Sequence, residues 1–313
     1  MQKKKMIRQH LQYSASILLI CFCIAPRLLA QALEPRAYAN APAGLNFVVA
    51  GYQGSRGGLI FDPAIPINDA TSTVDVAVFG YLRTLNVAGL SAKAGIVLPY
   101  ADLYAEGRDA QTNALLTREV SGAADPSLYF SINFYGAPAL NLREFKNYKQ
   151  DTIAGFTLKV TPPLGQYARD KIINIGTNRW SIKPELGISK AINRWILEAT
   201  TNVTFYTNND QFATNKTRKQ AAVYSLQGNL IYTFQNKIWL SYGFTYFTGG
   251  ETKVNGVVSN DLQNNSRTGF TAAIPINKYH SIKILASTGV STRTGSDYDS
   301  INIFWQYRWG AGL

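Results

Sequence analysis

Setting aside an N-terminal leader, the sequence holds one histidine, His280, and no cysteine. An activated nucleophile needs a base within hydrogen-bond reach, and a zinc site needs several His, Cys or carboxylate ligands at short spacing. Neither requirement is met. There is no HExxH, CxxC or GxSxG, and GSRGG (Gly54–Gly58) lacks the strand–helix setting of a phosphate cradle. His280 reads as a solvated turn residue, and Asp297 and Asp299 as a turn whose plainest role is solvation, although the pair could hold a cation. No catalytic residue, metal or cofactor is therefore expected. What the sequence offers instead is ionisable side chains spaced by alternation within apolar segments: Asp75, Arg83, Lys93, Lys159, Lys183, Glu185, Glu198, Lys283, Arg293 and Arg308. Seven bases against three acids on one face would either pair across a filled interior or form a constriction. A constriction of that sign favours anions, or amphipathic solutes with a carboxylate or phenolate.

The elements that would position these groups begin after residue 32. Lys3, Lys4, Lys5 and Arg8, then ILLICFCIA (Ile17–Ala25), then Ala30-Gln31-Ala32 supply the basic, apolar and small-x-small parts of a secretory signal peptide over 1–32. Cys21 and Cys23 both fall within it, so the exported chain has no thiol chemistry. The formal charge of +12 drops to +7 when the five basic residues of the leader are removed. The remaining bases are dispersed, so no nucleic-acid partner is expected.

Beyond the leader no apolar run is long enough for a membrane helix, yet 46% of the chain is hydrophobic. Twelve windows alternate with period two: 45–54, 73–83, 90–101, 127–136, 152–161, 180–190, 194–206, 222–234, 238–248, 267–276, 281–293 and 300–309. Short links follow even-numbered windows, such as AIN (Ala191–Asn193) and QNK (Gln235–Lys237). Longer links, such as Ser55–Ser72, Asp102–Pro126 and Pro162–Arg179, mostly follow odd ones. The exception is Gly136–Asp151, where Leu142, Phe145 and Tyr148 suggest a short amphipathic helix or else an irregular loop. Alternation and link lengths together predict an all-β transmembrane antiparallel β-barrel, an up-and-down meander of about twelve strands over 45–313. A secreted β-sandwich is the rival architecture. Trp180, Trp195, Trp239, Trp305 and Trp309 fall near strand ends and are assigned to an aromatic girdle. Phe79, Tyr81 and Tyr129 are assigned to the interior. Residues 33–44, rich in Ala and Pro, form an N-terminal tail or a small plug, with Arg36 and Tyr38 as its contacts if it enters the lumen.

Several stretches carry a resemblance: LEPRAYANAPAGLNF (Leu33–Phe47), YGAPAL (Tyr135–Leu140), QDTIAGFTLKVTPPLGQY (Gln150–Tyr167), GTNRWSIKPELGIS (Gly176–Ser189), DLQNNSRTG (Asp261–Gly269) and QYRWGAGL (Gln306–Leu313). In this order they resemble the family named for the MetA pathway of phenol degradation, a group of outer-membrane transporters. The resemblance implies an outer-membrane β-barrel and traffic of aromatic or other hydrophobic compounds, and it supplies no catalytic motif. The expectation is a passive channel or facilitator for small molecules in the cell outer membrane, with both termini periplasmic. Its partners would be the lipid bilayer, the outer-membrane assembly machinery and a small solute. The first alternative is a non-transporting structural or adhesive barrel that works through its extracellular loops. The second is a membrane-embedded hydrolase or acyltransferase, which would need His280.

Overall fold

The computed structural model describes residues 33–60 and 66–313. The signal peptide expected over 1–32 lies outside the described residues. Each of the twelve alternating windows holds a strand. Three long strands come first: β1 (Leu45–Ile60), β2 (Ile67–Val87) and β3 (Leu90–Asp109). β4 (Leu115–Ala123) and β5 (Ser127–Tyr135) both pair with β3, at its upper and lower halves, so they are one strand broken at residues 124–126. There follow β6 (Thr152–Thr161), β7 (Ser181–Ile192), β8 (Trp195–Tyr206), β11 (Val223–Thr233), β12 (Trp239–Gly249), β15 (Gln263–Pro275), β16 (His280–Ser291) and β17 (Gly295–Gly310).

All pairings around the ring are antiparallel. β1 bonds to β2 on one side and to β17 on the other, while β2 also bonds to β3. The thirteen-segment sheet is therefore closed, with twelve staves once β4 and β5 are counted together. Closure leaves no sheet edge in lipid, where an unpaired backbone group costs several kcal/mol. Short turns lie at the end where β1 starts and β17 finishes, here the near end. At the far end β1, β2, β3 and β4 run on past the other strands. Among the described residues the links Ser55–Ser72 and Asp102–Pro126 are thus largely strand, the second with its tip at 110–114. The excursions after β8 and β12 pair with each other. β9 (Asn209–Phe212), β10 (Lys216–Gln220), β13 (Thr252–Val254) and β14 (Val257–Val258) make one small sheet in the order β14-β13-β10-β9. Among the described residues the link Gly136–Asp151 contains a single helical turn, α1 (Leu142–Phe145), capped by Asn141 and Glu144.

Prolines sit where the ladder tolerates them. Pro184 has no N–H to give, and the β7–β8 register lapses between Ile182 and Glu185. Pro99 lies opposite the break between β4 and β5, where its carbonyl accepts from Ala124 N–H at 2.9 Å.

The outer face is a continuous apolar surface. Tyr100, Leu128, Leu186, Leu197, Leu226, Phe244, Phe270 and Ile303 are all exposed on it. Here the structure corrects part of the sequence reading. On β2 the buried set is Val74, Val76 and Val78, while Phe79 is 48% exposed. Asp75, Phe79, Tyr81 and Arg83 share that second face, so they point away from the lumen. The reason is local: the β1–β4 wall has an apolar inner surface, so the valines turn inward. Asp75 and Arg83 then mark the two edges of the lipid-facing band. Eight residue steps separate them, about 26 Å along the strand and about 20 Å of height at a tilt of about 40°, most of the apolar band of an outer-membrane barrel. Tyr52 donates its hydroxyl to Asp75, and Tyr81 donates to Asn46 Oδ1 at 2.7 Å beside Arg83.

Two further assignments change. Arg293 lies in the β16–β17 turn at the far end, bonded to Asn260 Oδ1 at 2.9 Å. Trp239 shares the inward face of β12 with Ser241 and Thr245, and Leu240 takes the outer face. Trp195, Trp305 and Trp309 do lie on the outer face at the near end, and Trp180 is 47% exposed beside the far end of β7.

Candidate functional site

The lumen has two unlike walls. On β1–β4 the inward side chains include Leu59, Val74, Val76, Leu103 and Val120, one buried apolar cluster that Tyr298 of β17 completes, with Gln53 and Ser55 as buried polar members of the same face. On β5–β8, β11 and β12 the inward positions at mid-strand include Ser131, Asn133, Glu198, Thr200, Asn202, Gln227, Asn229, Ser241 and Thr245, all buried and polar, with apolar Ile196, Ile231 and Phe247 toward the strand ends. Both walls obey the same alternation, and only the chemistry of the inward set differs.

Of the predicted lumen residues, Lys93, Lys159, Lys183, Glu185, Glu198 and Lys283 turn inward, Lys93, Glu198 and Lys283 toward the near end and Lys159 and Lys183 toward the far ends of β6 and β7. Lys159 and Lys183 are register partners across β6 and β7. Glu185 Oε2 lies 3.7 Å from Lys183 Nζ and accepts from Asn202 at 3.3 Å. Lys283 Nζ stands 5.4 Å from the centre of the Phe304 ring, at the join with the apolar wall. Arg308 is also on the inner face, but at the near mouth, where its Nε donates to Lys278 O at 2.7 Å.

Residues 33–44 lie among these groups. Arg36 N–H donates to Glu198 Oε2 at 2.6 Å, and its guanidinium sits 5.7 Å above the Trp239 ring. Lys93 Nζ donates to Ala37 O at 2.9 Å, Asn133 to Tyr38 O at 3.1 Å, and Tyr38 OH to Glu185 Oε1 at 3.1 Å. β3 and β12 stand on opposite sides of the ring, so a segment that bonds Lys93 and covers Trp239 must cross the inside. Glycines make room for it. A β-carbon at Gly155 would come 2.3 Å from the Tyr38 ring and one at Gly187 2.0 Å; β-carbons at Gly243 and Gly269 would strike Leu33 at 2.9 and 2.8 Å. Tyr38 is fully buried. Burial, then the nearby Glu185, raises its hydroxyl pKa, and burial lowers the Arg36 pKa against the pull of Glu198. Arg36 also holds a left-handed backbone (φ 64°), a conformation costing a non-glycine residue about 1–2 kcal/mol. The bond to Glu198 is what holds it there.

Sequence reasoning missed Arg267, which is buried in the lumen. Its guanidinium lies 3.6 Å over the Tyr298 ring and donates to Tyr298 O at 2.8 Å and Ser287 Oγ at 3.1 Å. It opened the tenth window and so showed little of its alternation. Asp125 was also missed. Its carboxylate accepts from Gly165 N, Thr177 N and Thr177 Oγ1 at 2.6–2.8 Å and so folds the segment 162–180 inward beside β4. Buried Asn174 ties the same segment to Ala168 and Lys171.

The sequence model described as "Putative MetA-pathway of phenol degradation" matches residues 50–303. The chain belongs to this family. Its fold is shared with the COG4313 outer membrane channel from Pseudomonas putida F1, at 20% identity and a TM-score of 0.76, covering 89% of this chain and all of that one. The transport unit of the autotransporter AIDA-I from Escherichia coli is more distant: 11% identity and a TM-score of 0.55, over 94% of this chain and 97% of that one. The β domain of the Bordetella autotransporter BrkA gives 12% and 0.52, over 85% and 100%. No curated protein sequence matches the chain significantly. The stretch that most strongly suggested the phenol-degradation family, GTNRWSIKPELG (Gly176–Gly187), begins with structural residues. Thr177 serves Asp125, Asn178 donates to Asn209 at 2.8 Å, and Arg179 donates to Gln220 beneath the Tyr206 ring.

Proposed function

We propose that this member of the phenol-degradation family is a passive outer-membrane channel for small molecules, aromatic or amphipathic ones among them, with its near end in the periplasm. The observation that carries this reading is the divided lumen. Lys93, Lys159, Lys183 and Lys283 outnumber Glu185 and Glu198, and all but Lys93, which stands at the near end of β3, face the apolar wall. A ring bearing a carboxylate or phenolate satisfies both surfaces at once, its charge toward lysine and its ring toward valine and leucine. Residues 33–44 act as a small plug that narrows the path, with Arg36 and Tyr38 as its main fastenings. Passage down a gradient needs no energy source. The kinship with a family named for phenol degradation supports the choice of solute, and the apolar outer band supports contact with bilayer lipid. Export through the cleaved leader and insertion by the assembly machinery complete the proposal.

The test is reconstitution in planar bilayers. Conductance with a reversal potential favouring anions is expected, and it should be larger when residues 33–44 are removed. A barrel that conducts in neither form is not a channel.

A further inference from the structure

At the far end, inside the extended wall of β1–β4, lies a cavity of about 220 Å³. Leu59, Ala70, Ala105, Leu116, Ile172 and Ile173 form its apolar surface. Leu59, Ala70 and Ala105 belong to the same buried cluster as Val74, Val76 and Leu103, so the cavity opens onto the apolar wall of the lumen. Its roof is fixed: Arg118 Nε on β4 donates to Ile173 O at 3.3 Å, and Asn174 and Asp125 hold the two ends of the segment that supplies Ile172 and Ile173.

From these features we infer that the cavity is the first binding site for a neutral, single-ring aromatic solute. The inference rests on the channel reading and adds the capture step. Size sets the class. An apolar cavity of about 150 Å³ holds benzene, so one of this volume takes a ring with one or two small substituents. Charge sets the protonation state. Arg118 is committed to the carbonyls of Ile173 and Glu119, and Lys171 is paired with Asp170 at 3.2 Å. Glu106 and Asp170 also line the cavity, so its two cations are matched by two anions; an ionised arene gains no net attraction here, and its first partner is the lysine wall below. The neutral ring instead passes from this cavity along Leu103, Val74 and Val76.

Uptake of radiolabelled toluene by intact cells producing the protein, with radiolabelled benzoate in parallel, tests the site. Ala105→Phe fills the cavity, and Leu116→Asp makes its surface polar without relying on the same packing. Each variant should lower the toluene uptake rate at low concentration about tenfold, the effect of losing one good apolar contact set. Benzoate uptake, and liposome swelling in arabinose, should stay as in the wild type. Unchanged toluene uptake in both variants overturns the capture site, and so does equal loss of toluene and benzoate. Failure of wild-type liposomes to swell in arabinose would count against the channel, while the toluene comparison would still decide the cavity.

Discussion

β2 and β7 cross the barrel with similar alternation and opposite consequences. On β7 the charged residues Lys183 and Glu185 face the lumen and Ile182, Leu186 and Ile188 face outward. On β2 the valines face the lumen, and Asp75 and Arg83 face outward at the two edges of the lipid band. Alternation divides a strand into two sets. Which set meets water depends on the neighbouring strands, and here Leu59, Ala101 and Leu103 decided it for β2.

The largest effect that would sharpen this contrast is removal of residues 33–44. Single-channel conductance should rise severalfold, because the segment crosses the lumen from Lys93 on β3 to Trp239 on β12 and its loss opens that path. Unchanged conductance would mean the path runs elsewhere. Gly187→Ala should move conductance in the same direction with the segment intact, since the new methyl meets the Tyr38 ring. Next, Lys159→Glu combined with Lys183→Glu should reverse the sign of the reversal potential in a salt gradient. Asp75→Asn with Arg83→Gln should leave it alone, and a shift there would return those residues to the lumen. Third, Val76→Asp should lower unfolding stability by about 2–4 kcal/mol in urea titrations, an unpaired carboxylate in an apolar wall. Asp75→Asn, one residue away, should stay within about 0.5 kcal/mol. The smallest effect concerns pH. The Tyr38 hydroxyl pKa is raised on docking, so its contribution is whole below the ordinary tyrosine pKa of about 10 and fades above it. Conductance should creep up above that pH in the wild type and remain flat in Tyr38→Phe.

Much of the architecture was legible because lipid imposes a strict period of two and short near-end turns. The errors came where a second rule competed with the period. Trp239 alternates with Leu240 and so points inward, yet a tryptophan at a strand end suggested the interface. Arg293 continued the rhythm of β16 two residues beyond its end at Ser291. The far-end extensions of β3 and β4 looked like loop, because their outer face carries Asp102, Glu106 and Arg108 and the inner face small residues such as Ala105 and Gly107, so the hydrophobic rhythm is faint. The seat of Tyr38 was not readable at all. It depends on Gly155 and Gly187 being register partners across β6 and β7.

The two far-end excursions are joined, because β10 pairs with β9 from its own excursion and with β13 from the other. An affinity tag or reporter inserted into one would therefore disturb both. The β3–β4 hairpin is a better place for cargo. Its tip at Gln111–Asn113 is held mainly from within the hairpin: the Asp109 carboxylate accepts from Gln111 and Thr112 at 2.8–3.0 Å, and Arg108 donates to Asn113 O at 3.3 Å. Labelling living cells there should leave the rest of the surface undisturbed.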